Sequence, residues 1–437
     1  METIMKTKTK VPGMRRAIRE LPRRWPLAGA LLLVLPGSAF ADSVTDWSAF
    51  ADTVIAGAGA PPQQYRVLAM TQIAVHDALN SIDRRYRTYS PLGAASHHAS
   101  PDAAVAAAAA GVLRATIPSQ LSLIDAQYAA AIAALPACPA SAPGCVGQGI
   151  GAGEAAAAAI VQRRQLDGSA TPHLPYTLAP GPGVYQPTLP TPPPPAPYPQ
   201  FGNWGNLKPF AIINNRQFAP GPAPELNLRS KAYADEYNEV KLMGSFAVRN
   251  AAPDSEESKV ARYFPGGGAN LNAIARAVVA GKGLDRWQHA RLFALVNMAV
   301  NDALITTFGA KYRYNFWRPY TAIRWANDGN PLTQPDPGFT SYITTPPYPD
   351  YPCGLPSTMG AGVQVMRSYF GTDRLPYSLT AAGIPRSYTR LSDAESDSVD
   401  ARVYGGIHFR FGCEVGVEQS RRVAKFVYLT QLRASRH

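Results

Sequence analysis

Residues 285–308 read DRWQHARLFALVNMAVNDALITTF. Apolar side chains recur there at three- and four-residue spacing, with neither proline nor glycine to break the run. That pattern predicts one long amphipathic helix. Its inner part, ALVNMAVNDALIT (294–306), matches AMTQIAVHDALNS (69–81) at Ala, Ala-Val and Asp-Ala-Leu in register. The match predicts two related helical bundles packed together. Ala/Leu-rich runs over 67–82, 103–117, 122–135 and 414–432 carry the same period, and no strand-and-hairpin rhythm breaks it. The expected fold is therefore all-α.

Residues 1–41 are set apart. Eight basic residues and two acidic ones lead into the apolar run LAGALLLVL, and Ala39-Phe40-Ala41 precedes Asp42. This is the layout of a cleaved secretory signal, and the apolar stretch is too short to span a bilayer. The expectation is an exported protein, periplasmic or secreted, with no transmembrane anchor in the mature chain. The segment supplies half of the formal charge of +12, so the rest is only mildly basic. With no long basic stretch, a nucleic-acid partner is excluded.

The remainder divides into a helical half (42–171), a proline-rich connection (172–223) and a second helical half (224–437). Prolines as dense as those in LPTPPPPAPYPQFGNW (189–204) block helix, and the interspersed rings predict a segment pinned along the surface. Export favours oxidised cysteines: Cys138 and Cys145 bracket a short loop, and Cys353 and Cys413 are candidates to pair in space. No CxxC spacing suggests zinc.

Chemistry concentrates in three segments of the second half. KYRYNFWRPYTAIR (311–324) holds Lys311, Arg313, Arg318 and Arg324. Like charges so close need solvent or an anion. Lys311 offers a point charge and Arg318 a planar fork of donors, a pair suited to a tetrahedral oxyanion. Arg313 and Arg324 are assigned to solvent or to carboxylates. PPYPDYPCGLPSTMGAGV (346–363) turns from prolines through Gly354 into a helix, whose N-terminus favours an anion. Ser357 and Thr358 there are further candidate donors. DARVYGGIHFRF (400–411) sets Arg402 and His408 around Gly405-Gly406, the histidine offering a coordinating or covalent nitrogen. The other histidines, His76, His97, His98, His173, His289 and His437, read as structural.

Taken in order, Lys-x6-Arg-Pro, a glycine turn opening a helix, and Arg-x5-His resemble the signature of the vanadium-dependent haloperoxidases. The type 2 phosphatidic-acid phosphatase superfamily, to which they belong, shares that signature. The flanking text resembles the bacterial exported branch, FAPGPAPELNLRSKAYADEYNEVK (218–241) included. The resemblance implies an all-helical pair of bundles with an oxyanion pocket in the second. By it, Lys311, Arg318 and Arg402 bind the oxygens of vanadate, Gly354 donates its backbone N–H, and His408 bonds the metal. Lys311, Arg402 and His408 would be the catalytic set, with phosphate as the competing anion. Hydrogen peroxide and a halide or small organic molecule are the implied substrates, and a homo-oligomer is compatible. In the phosphatase relatives the matching histidine is the nucleophile.

The middle motif departs from the family. Where Pro-Ser-Gly-His is usual, this chain has Pro352-Cys353-Gly354-Leu355, and the serine of the last motif is Ala401. Leucine handles no protons, and losing a general acid–base group costs on the order of 10²–10⁴ in rate. The expectation is a vanadate- or phosphate-binding haloperoxidase-like protein with weakened activity, or with its acid–base group supplied from elsewhere, Asp350 being one candidate. The alternatives are a phosphoric-ester hydrolase with His408 as nucleophile, and a non-catalytic oxyanion-binding homologue.

Overall fold

A computed structural model of the protein describes residues 42–172, 176–188, 200–264 and 268–435. The leader at 1–41 and the proline run at 189–199 lie outside them.

The first half builds α1 (Ser43–Val54), α2 (Pro61–Ile82), α3 (Pro101–Thr116), α4 (Leu121–Ala133) and α5 (Cys145–Arg164). The second builds α6 (Lys231–Met243), α7 (Phe246–Ala251), α8 (Glu256–Tyr263), α9 (Gly268–Val279) and α10 (Arg286–Tyr314). After these come α11 (Pro319–Arg324), α12 (Gly354–Phe370), α13 (Leu391–Tyr404) and α14 (Arg410–Thr430).

The two repeat-bearing helices, α2 and α10, pack against each other, and α12 and α14 pack on α10. A single core runs through α1–α5, α10, α12 and α14. Asp285 starts α10 with a capping box, and Asn315 ends it in the left-handed region at φ 51°, its N–H bonding to the Lys311 carbonyl. Among the described residues α10 alone is long and apolar enough to cross a membrane, and it is buried in this core.

The aspartate shared by the two repeats has the same task in both. Asp77 accepts the backbone N–H groups of Tyr89 and Ser90, and Asp302 accepts those of Phe210, Ala211 and Ile212. Each buried carboxylate ties an incoming loop to its helix and satisfies donors that would otherwise be orphaned. His76 is buried beside Asp77, with Nδ1 at 3.0 Å, which suits the structural reading.

The described parts of the proline-rich connection lie against both halves, the carbonyls of Lys208 and Pro209 accepting from Arg164 of the first. Tyr185 is fully buried and donates its N–H to Asn315, while Trp317 donates to Gly183. The Tyr176 hydroxyl donates to the Tyr185 carbonyl and meets the Asn315 side chain. These bonds fix the backbone on either side of Phe316, immediately before Arg318. Both expected cysteine pairs form disulfides; Cys353–Cys413 links the cap of α12 to the first turn of α14.

The all-α expectation holds, with one small exception. A small antiparallel hairpin, β1 (Tyr377–Ala381) and β2 (Ile384–Tyr388), interrupts the helices. Its strands are short, but Ala382 and Gly383 both take positive φ (49° and 74°). That two-residue turn suits the twist of a hairpin, and glycine admits it.

Candidate functional site

Three turns bring the cations together. Lys311 lies in the last turn of α10, and Arg318 is the extended residue before α11. Arg402 lies in the last turn of α13. The chain then reverses at Gly405-Gly406, where the Ile407 N–H bonds to the Arg402 carbonyl. Gly406 sits at φ 73°, and a Cβ there would lie 2.1 Å from the Gly244 carbonyl oxygen, so only glycine fits. This reversal returns His408 to the side of Arg402, beside Arg318.

Lys311, Arg318, Arg402 and His408 are all buried. Desolvating charges of one sign is costly unless they are paired or hydrogen-bonded. The Lys311 ammonium donates to the carbonyls of Pro349 and Asp350, each at 2.8 Å. Arg318 donates from Nε to the Tyr348 carbonyl (2.7 Å) and from Nη1 to the Ile407 carbonyl (2.8 Å). The Tyr348 ring lies 5.1 Å from Lys311 Nζ and 5.0 Å from the Arg318 guanidinium, so its face attracts both cations. Arg402 Nε and Nη2 and Arg318 Nη2 are buried donors that no protein atom accepts. These orphaned donors belong to two guanidinium groups, the side chains best suited to grip an oxyanion.

The tautomer of His408 follows from its partners. Arg318 Nη1 has only hydrogens to offer, and it lies 2.8 Å from His408 Nε2. Nε2 is therefore the lone-pair nitrogen and Nδ1 carries the proton. Nδ1 lies 2.7 Å from Asp350 Oδ1, although the ring is turned out of hydrogen-bond alignment. Asp350 Oδ1 also lies 3.5 Å from Arg318 Nη1. Burial, with Arg318, Lys311 and Arg402 adding to it, holds His408 well below the usual histidine range, so the ring is neutral. Burial, then Arg318, likewise depresses Lys311 well below the usual lysine range. Burial lowers Arg402 to about 10 and raises Asp350 to about 7, the latter against the pull of Arg318 and Lys311.

Gly354 opens α12 beside these groups. The cap residue, Cys353, offers no side-chain acceptor to the first turn, leaving its N–H groups and the positive end of the helix dipole for an anion. A Cβ built on Gly354 would meet nothing within 4 Å. The donor set therefore fits a tetrahedral oxyanion: unclaimed guanidinium hydrogens, a neutral histidine nitrogen and open space at the helix start.

The structure corrects one expectation at the site. Ser357 and Thr358 are not free to donate to an anion. Their hydroxyls donate to the Cys353 and Leu355 carbonyls, at 2.6 Å and 2.7 Å. Such back-bonding is the ordinary local option for Ser and Thr in a helix. The disulfide likewise removes Cys353 as a donor. Arg313 and Arg324 are exposed, as assigned from the sequence, and Arg324 donates to the Phe339 carbonyl. Tyr348 was not anticipated; its only signal is an aromatic between prolines in PPYPDYP.

Comparison with known proteins bears on the fold that carries this site. Residues 291–436 match the VCPO second helical-bundle domain. Over 191 residues the chain is 28% identical to the vanadium chloroperoxidase of Curvularia inaequalis, covering 37% of this chain and 31% of that protein. The chain thus spans about a third of that relative's length. Among solved structures, a bacterial vanadium-dependent iodoperoxidase superposes with a TM-score of 0.74 at 23% identity, covering 90% of this chain and 96% of that one. The apo form of a bacterial vanadium-dependent chloroperoxidase gives 0.66 at 16%, covering 84% and 92%. The chain thus carries a stretch that matches the VCPO second helical-bundle domain and shares its overall fold with bacterial vanadium-dependent haloperoxidases.

Proposed function

We propose that this is an exported haloperoxidase-like protein that binds vanadate, or phosphate in competition, through Lys311, Arg318, Gly354, Arg402 and His408. The observation that carries the reading is the set of buried, unaccepted donors on Arg318 and Arg402 around a neutral His408. When bound, vanadate supplies the Lewis-acid centre at which hydrogen peroxide oxidises a halide. The protein's part is electrostatic. Lys311, Arg318 and Arg402 neutralise the anion's oxygens in a dry site, the α12 amides add oriented dipoles, and His408 offers its Nε2 lone pair. Nε2 accepts from Arg318 Nη1 in this structure, so that hydrogen bond must be given up for His408 to bond the anion.

Proton handling is the weak point. Leu355 offers none at the α12 start, and Asp350 lies on the Nδ1 side of His408, away from the nitrogen that faces the anion. We therefore expect low peroxidase turnover. Vanadate-dependent bromination of a reporter dye by hydrogen peroxide tests this, with the vanadate-free protein as the blank. Absence of any vanadate-dependent rate, with vanadate bound, rejects the peroxidase reading.

The pairing of a neutral His408 with Asp350 favours a second reading, a phosphoric-ester hydrolase. His408 Nε2 would attack phosphorus while Asp350 stabilises the charge developing at Nδ1. Without an acid near Leu355 the leaving group must depart unprotonated, as a phenolate can. Hydrolysis of an aryl phosphate that disappears in His408→Ala supports it, and no hydrolysis by the native protein rejects it.

A further inference from the structure

Two of the proposed oxyanion donors, Gly354 and Arg402, lie on the wall of a larger space. A cavity of about 470 Å³ opens in front of Gly354 and Arg402. An oxyanion or a halide fills only a small part of such a volume, which lies within the range of organic-ligand sites, roughly 300–1,000 Å³. The remaining walls are mostly apolar and come from both halves of the chain, including Pro62 of α2, Leu304 and Phe308 of α10, Tyr348 and Leu355.

Two of the polar side chains on those walls are already engaged. The Thr358 hydroxyl donates to the Leu355 carbonyl and lies 3.4 Å from the Tyr65 hydroxyl. Burial raises Tyr65 to about 12, so it stays neutral. Arg402 is the charged side chain on these walls.

We propose that the cavity seats an apolar organic group, aromatic or alkyl, carried by the substrate and held against Leu355 and Phe308 next to the oxyanion. In this reading Leu355 is a specificity-determining residue: the position that disables proton transfer completes the apolar wall. The inference rests on the oxyanion reading of the site but can fail separately from it.

Titration calorimetry on the full-length protein with three probes separates the two. Orthovanadate reports the cradle alone. Methylphosphonate and phenylphosphonate share one oxyanion head and differ in the apolar group. Burying the ring should make phenylphosphonate bind at least about tenfold tighter than methylphosphonate. Leu355→Asn, similar in size but polar, should collapse that ratio while orthovanadate still binds. Leu355→Met should keep the ratio and guards against a mere folding defect. Equal affinity of the two phosphonates, with orthovanadate bound, overturns this inference and spares the oxyanion reading. A ratio that survives Leu355→Asn also overturns it, because the ring then lies elsewhere. Failure of all three probes overturns both.

Discussion

Nδ1 of His408 and Oδ1 of Asp350 lie 2.7 Å apart, both buried, while Nε2 of the same ring accepts from Arg318 at 2.8 Å. The carboxylate and the guanidinium thus hold opposite edges of one imidazole and leave Nε2 as its lone-pair nitrogen. Asp350→Asn keeps the shape and removes the charge. Partners of this kind are worth roughly 10–100-fold in ligand affinity, so vanadate binding should fall by about that factor with the melting temperature nearly unchanged. The histidine ¹⁵N shifts should show a mixture of tautomers. Unchanged affinity and an unchanged tautomer would remove Asp350 from the account.

The depressed Lys311 should set the alkaline limit of anion binding. Burial, then Arg318, lowers its folded-state pKa, and a bound dianion would favour its charged form again. Affinity is then full below the depressed value and is lost as pH rises through it, well before the usual lysine range near 10.4. Arg402, lowered to about 10, adds a second loss there. Sulfate is the probe, because its charge is constant over the range. Lys311→Arg, which stays cationic, should flatten the first limb. A sulfate affinity constant up to pH 10 contradicts the assignment.

Leu355→His restores a proton-handling group at the first turn of α12, beside the cradle. Bromination should rise by on the order of 10²–10⁴ if this loss is what limits turnover. No gain, with vanadate still bound, would show that the limit lies elsewhere in the site.

The Cys353–Cys413 bridge ties the α12 cap to α14 across 60 residues of sequence. Replacing both cysteines by serine should cost about 2–4 kcal/mol of stability and weaken vanadate binding, because the anion-facing turn begins at that cap. Chemical denaturation and calorimetry measure the two effects. Removing Cys138–Cys145, which closes a loop of the first half, should cost stability and leave vanadate affinity unchanged.

Much of this was legible in the sequence because its signals are local. Helical period identified the α2 and α10 repeats, and the three charged segments pointed to Lys311, Arg318, Gly354, Arg402 and His408. What the sequence hid is set by distant partners. Nothing near Asp302 announces that it holds three backbone N–H groups from a loop some ninety residues earlier. Asp350 was visible only as a possible acid–base group, because its relation to His408 depends on the Gly406 reversal. Ser357 and Thr358 looked available because a sequence does not say which carbonyl claims a hydroxyl. The hairpin at 377–388 escaped because its turn, not its strands, carries the signal.

The central claim is that the buried cations around His408 exist to hold one tetrahedral oxyanion. Equilibrium dialysis against orthovanadate, with bound vanadium counted per chain, tests it most directly. The account predicts one vanadium per native chain, lost or weakened by at least about tenfold in Arg402→Ala, whose guanidinium supplies two of the unclaimed donors. A native protein that retains no vanadium, or an Arg402→Ala variant that binds it equally well, contradicts the account.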